Sequence, residues 1–110
     1  MGRLEGEQML MRIFVGEADR WENRPLYKAL VELFRREGFA GATVLRGVTG
    51  FGATSVLHTD SLLCLSQDLP LVIEVVDAEE KIEAILPRLD EMLQGGMITL
   101  EKARVIRYTK

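Results

Sequence analysis

Apolar residues recur along the chain with two different periods, and the switches between them divide it into elements. Leu10 to Val15 is a run in which only Arg12 is polar, closed by Gly16. It predicts a strand with apolar side chains on both faces. Leu26, Ala29, Leu30, Leu33 and Phe34 follow at spacings of three and four. They predict a helix, with Asn23 as its cap, Pro25 in its first turn where a missing N–H costs nothing, and Gly38 as its stop. Residues 42–48 and 71–76 are rich in β-branched side chains and read as two further strands. Asp77-Ala78-Glu79-Glu80 has the form of a capping box before the stripe Ile82, Ile85, Leu86, Leu89 and Leu93. Pro87 falls inside that helix and should bend or loosen it. Gly95-Gly96 ends it, and the remainder holds one or two strands, with Val105-Ile106 the clearest apolar pair.

The order is strand, helix, strand, long loop, strand, helix, strand. It predicts an α+β fold of the ferredoxin-like βαββαβ type, a four-stranded antiparallel sheet with two helices on one face. Residues 1–8 show no period and read as a loose extension, leaving 9–110 as a single domain with a long loop at about 53–69. Two helices cover one face only, and the strands are apolar on both. The uncovered face therefore predicts a homo-oligomer whose sheets face a shared interior.

Composition narrows the class. A chain of 110 residues has room for one core; 47% of it is hydrophobic and 28% charged, which argues against disorder. A net charge of −3 argues against a nucleic-acid binder. Apolar runs such as Leu62-Leu63-Cys64-Leu65 are far short of the roughly 20 residues that span a bilayer, and no basic-then-apolar signal opens the chain. The expected setting is cytoplasmic. Cys64, the one cysteine, has no internal disulfide partner and reads as a small hydrophobe. Charge is uneven: from Glu74 to Glu91 seven acids face two bases, whereas Lys102, Arg104, Arg107 and Lys110 end the chain without an acid among them.

Four features could carry chemistry. Arg46-Gly47-Val48-Thr49-Gly50-Phe51-Gly52 is a glycine-dense turn whose backbone could approach a phosphate, but no Lys-Ser/Thr follows it as in a Walker A loop. Gly95-Gly96 is a second such turn. Arg104 and Arg107 suit phosphates or carboxylates, yet residues three apart on a strand point to opposite faces, so they do not form one clamp. The loop holds Ser55, His58 and Asp60, the residue types of a hydrolytic triad, and His58, Asp60 and Cys64, a mixed metal-ligand set. Neither is on a rigid element or has ligand-pair spacing, so no catalytic group and no metal site is assigned there.

Thr43-Val44 entering a strand, Gly50-Phe51-Gly52 opening the loop, His58-Thr59-Asp60 within it, Leu69-Pro70 closing it, Ile73-Glu74-Val75-Val76, and Ala103-Arg104-Val105-Ile106-Arg107 together form an ordered set. In these, residues 10–108 resemble the nitrogen-regulatory PII proteins, and more closely the PII-like branch known as domain of unknown function 190. The resemblance implies a homotrimer that binds an adenine nucleotide (AMP, ADP or ATP) between subunits and docks on a target protein, soluble or membrane-associated, through the loop. It carries nucleotide binding to Gly50, Phe51, Gly52, Gly95, Gly96 and Arg107, with Arg104 in the matching segment. Docking falls to Thr54, His58, Asp60 and Asp68. Met97 stands where PII has a phosphate-binding lysine, favouring a mono- or diphosphate. Ala53-Thr54 replace the glutamine after Gly-Phe-Gly, so magnesium-dependent 2-oxoglutarate sensing is not implied. The loop has no tyrosine to uridylylate.

The leading expectation is thus a non-enzymatic regulatory protein. The alternatives are a small acyl-phosphate hydrolase of the same fold, with Arg46 and the glycine turn holding phosphate, and a trimeric metal-ion sensor or tolerance protein using His58.

Overall fold

The computed structural model describes residues 2–51 and 68–110. In chain order the elements are β1 (Gly2–Gly16), β2 (Arg20–Trp21), β3 (Arg24–Pro25), α1 (Leu26–Arg36), β4 (Thr43–Arg46), β5 (Pro70–Asp77), α2 (Glu79–Met92) and β6 (Met97–Thr109). The four long strands form one sheet in the order β4-β5-β1-β6, every neighbouring pair antiparallel. This is the ferredoxin-like order expected from the sequence.

Strand periodicity decides what is buried. Met9, Met11, Ile13 and Val15 point to the helix side of β1, beside Leu71, Ile73 and Val75 of β5. Against them pack Leu26, Ala29, Leu30, Leu33 and Phe34 of α1 and Ile82, Ile85, Leu89 and Met92 of α2. The alternate residues, Leu10, Arg12 and Phe14 with Val72, Glu74 and Val76, form the open face. That face is apolar as expected, with a polar centre: Arg12 Nε donates to Glu74 Oε2 (2.8 Å) and its Nη1 to Glu101 Oε1 (2.7 Å). The hydrogen bond to Glu74 is the largest influence on the Arg12 pKa and burial, which opposes it, the second; with the hydrogen bond to Glu101 and the two carboxylate charges added, the pKa is held above its ordinary value.

Several local expectations are corrected. Residues 2–8 are not a loose extension but the first half of β1, paired residue by residue with β6 from Gly2 opposite Thr109 to Gln8 opposite Ala103. Their pattern lacks an apolar period because this ribbon overhangs the core, and ion pairs stand where apolar contacts would otherwise mark a strand. Glu5 pairs with both Arg3 and Arg104, and Glu7 with Lys102. Asn23 does not cap α1; with φ of 66° it forms the turn between β2 and β3, and Pro25 takes the N-cap position. Asp77 makes no capping box. The N-cap is Ala78, and the Asp77 carboxylate accepts from Ala78 N (2.8 Å) and Ala40 N (3.2 Å), tying the start of α2 to the approach of β4. Met92 joins the buried stripe of α2, while Leu86 and Leu93 are half-buried. Pro87 leaves α2 unbroken because it lies on the exposed side, so the Glu83 carbonyl it deprives of a partner is on the solvent side. The C-terminal segment is one strand of 13 residues.

Candidate functional site

Both glycine turns leave the same end of the sheet, where Gly16 pairs with Pro70, Arg46 with Leu71 and Phe14 with Met97. The described residues on either side of 52–67 are fastened there. Gly47 N donates to the Pro70 carbonyl (2.8 Å), and the Pro70 ring packs so closely on this turn that a Cβ at Gly47 or Gly50 would come within 2.9 and 3.1 Å of its Cγ. Gly50, at φ 148°, has a backbone few other residues adopt. On the returning stem, Glu17 N donates to the Leu69 carbonyl (2.8 Å) and Ala18 N to Asp68 Oδ1 (2.9 Å). A Cβ at Gly16 would collide with that carboxylate. Arg46 forms an ion pair with Glu17 across the same junction.

The second turn divides its labour. Gly96, at φ 88°, passes so close to the Phe14 carbonyl that any side chain would overlap it, whereas a Cβ at Gly95 would meet nothing within 4 Å. Gly96 is required by the chain crossing. Gly95 is open surface, free to meet a ligand. Phe51 (69% exposed) and Val48 (90%) stand beside the β4 exit without a core contact.

The two arginines separate as the strand period requires. Arg104 turns to the helix side and donates from Nε to Glu5 Oε2 (2.6 Å). Arg107, opposite Leu4, turns to the open face, in a groove with Ala40, Gly41, Thr43 and Glu74. It has no carboxylate partner among the described residues. Arg107 lies ten pairs along the ladder from Met97, roughly 30 Å of strand at about 3.3 Å per residue. One chain therefore gathers Gly50, Phe51, Gly95 and Gly96 at one end and Arg107 at the other.

Asp68, expected to dock a partner, accepts a hydrogen bond from Ala18 N (2.9 Å). Gly52, Thr54, His58 and Asp60, and likewise Ser55 and Cys64, lie outside the described residues. Among the described residues no three His, Cys, Asp or Glu side chains are grouped to hold a metal ion, and no helix is long and apolar enough to cross a membrane. Sequence reasoning missed Gly16 and Glu17, whose roles depend on contacts with residues 46 and 68; only Arg12 carried a signal, as the lone polar residue of its run.

The profile of domain of unknown function 190, a family described as Uncharacterized ACR, matches residues 8–105. The chain belongs to that family. This DUF190 protein is 39% identical over 100 residues to a UPF0166 protein of Aquifex aeolicus (strain VF5), covering 91% of this chain and 94% of the relative. It is 36% identical over 99 residues to a UPF0166 protein of Methanocaldococcus jannaschii, covering 89% and 91%. Its fold is similar to that of a candidate PII-like signalling protein of Thermus thermophilus, with a TM-score of 0.63, 23% identity, and coverage of 92% of this chain and 90% of that one. It is similar also to CPII of Thiomonas intermedia K12 bound to ADP and bicarbonate, at 0.60, 17%, 93% and 91%. At these identities the structural likeness establishes that the DUF190 chain has the PII-like fold.

Proposed function

We propose that this DUF190 protein is a non-enzymatic PII-like regulator that binds an adenine nucleotide, AMP or ADP before ATP, between subunits of a homotrimer, and signals to a partner protein through residues 53–69. The observation that carries this reading is the loop junction itself. Both stems of the loop are fastened by backbone hydrogen bonds at the sheet end where the open Gly95 turn emerges, so a ligand held there touches the base of the loop. Differential affinity for two loop arrangements is then enough to signal. The ADP-bound Thiomonas CPII of the same fold supports the ligand class. Since Arg107 is remote from the turns within one chain, the phosphate-reading arginine comes from a second copy. The pairing of Arg46 with Glu17 counts against the hydrolase alternative, in which Arg46 would have to meet a phosphate instead.

Titration calorimetry with ATP, ADP, AMP and cyclic AMP tests the reading. Binding of AMP or ADP is expected, weakened by one to two orders of magnitude in Arg107→Ala, in line with roughly 1.5–3 kcal/mol for a charged hydrogen bond. Silence from all four nucleotides would overturn it.

A further inference from the structure

The turn that joins β1 to β2 touches both flanks of residues 52–67, and Glu17 does so twice. Its backbone N–H donates to the Leu69 carbonyl (2.8 Å) on the returning flank, and its carboxylate pairs with Arg46 on the outgoing one. Strand alternation brings the two side chains together. Arg46, opposite buried Leu71, faces the helix side, and so does Glu17, two residues beyond Val15. Because β5 lies between β1 and β4, the pair reaches over the first residues of β5.

The other contacts of this junction involve the main chain. Ala18 N donates to Asp68 Oδ1 (2.9 Å), Gly47 N to the Pro70 carbonyl (2.8 Å), Gly16 N to Asp19 Oδ2 (3.0 Å) and Leu26 N to the Asp19 carbonyl (2.8 Å). Among the described contacts here, only Glu17 with Arg46 joins two side chains, so it alone can break and re-form without moving backbone. The pair is also open to water, with Arg46 58% exposed and Glu17 25%, which keeps it weak and exchangeable. Arg46 is the one charged residue of 43–51 and stands directly before Gly47. An anion that approaches the glycine turn therefore meets a single cation on that flank, and Glu17 already holds it. A guanidinium takes carboxylate and phosphate with the same fork of donors. A phosphate monoester carries about −1.5 to −2 charges at pH 7, more than one carboxylate does, so it competes on favourable terms.

We infer that the Glu17–Arg46 pair is an exchange switch: Glu17 is a built-in competitor for the phosphate of a ligand at residues 47–50, and Arg46 leaves Glu17 for that phosphate when the ligand binds. Exchange frees the β1–β2 turn from the end of β4 while Glu17 N stays on the Leu69 carbonyl. The two flanks are then tied to that turn differently with and without ligand. The inference deepens the functional reading above and rests on its placing of the ligand at the glycine turn. What counts against Arg46 as a permanent phosphate holder suits it to this role, since a signal needs two arrangements that the ligand distinguishes.

Titration calorimetry at low salt, with ADP and with pyrophosphate as probes, tests the switch on four proteins: the wild type, Glu17→Gln, Arg46→Gln and the double variant. Both changes are close in size to the native side chains and leave the backbone contacts in place; far-UV circular dichroism checks that each variant folds. Glu17→Gln should bind roughly two- to fivefold tighter than the wild type, the weight of an exposed ion pair. Arg46→Gln should bind about tenfold weaker, the loss of a charged hydrogen bond. Adding Glu17→Gln to Arg46→Gln should change nothing, an outcome that a merely structural Glu17 would not give. Unchanged or weaker binding by Glu17→Gln, unchanged binding by Arg46→Gln, a gain from Glu17→Gln that persists without Arg46, or silence of both probes with every protein each overturns the switch. The two claims separate cleanly. ADP binding that is indifferent to Glu17 keeps the nucleotide and removes the switch; pyrophosphate binding that follows the expected pattern while ADP is silent does the reverse.

Discussion

At the loop end of the sheet, order comes from backbone and from the absence of side chains: Gly47 and Glu17 donate to the carbonyls of Pro70 and Leu69, and Gly16, Gly50 and Gly96 make room for close approaches. At the other end, the overhanging ribbon of residues 2–8 and 103–109 is held by ladder hydrogen bonds and exposed ion pairs around Glu5 and Glu7, beyond the reach of either helix. The first end tolerates no Cβ at critical points. The second is built from side chains that water and salt compete for. Precision at the first end is what the proposed coupling of a ligand to residues 53–69 would require, since fastened flanks transmit a small displacement.

The sharpest way to break the contrast is Gly96→Ala. It forces a Cβ onto the Phe14 carbonyl at a positive φ, and strain with overpacking should cost about 2–4 kcal/mol in urea unfolding. Gly95→Ala, one residue away in open space, should change stability by less than about 0.5 kcal/mol. Equal effects would show that the turn is not shaped by that crossing. Next in size is Asp68→Ala, which removes the acceptor for Ala18 N and should cost about 1–2 kcal/mol. A neutral result would show that this contact does not hold the segment in place.

How legible each end was in the sequence follows from the same physics. Strands and helices that face the core announce themselves by apolar period, which is why β5 and the stripe of α2 were readable. The ribbon was not, because its alternate positions Arg3, Glu5 and Glu7 are charged rather than apolar, and Lys102 and Arg104, the partners of Glu7 and Glu5, lie about a hundred residues away. Asn23 misled for a related reason: a residue suited to capping is equally suited to the left-handed turn it occupies between β2 and β3. At the candidate site, the opposite orientation of Arg104 and Arg107 could be read from strand period alone. The anchoring of Asp68 could not, since it depends on a contact with Ala18, fifty residues earlier.

The smallest expected effect probes the ribbon. Glu5→Gln removes the negative charge that faces both Arg3 and Arg104 and one of the two oxygens that accept from them, groups that are 58% and 76% exposed, so the loss should stay under about 1 kcal/mol and shrink as salt is added. Amide hydrogen exchange gives the spatial reading. Protection in residues 2–8 should fall while that of Met11 and Ile13, on the same strand but inside the core, holds. If protection fell equally along β1, the ribbon and the core would be one cooperative unit. The charged overhang would then be as much a part of the folded core as the glycine end, despite the lack of an apolar face.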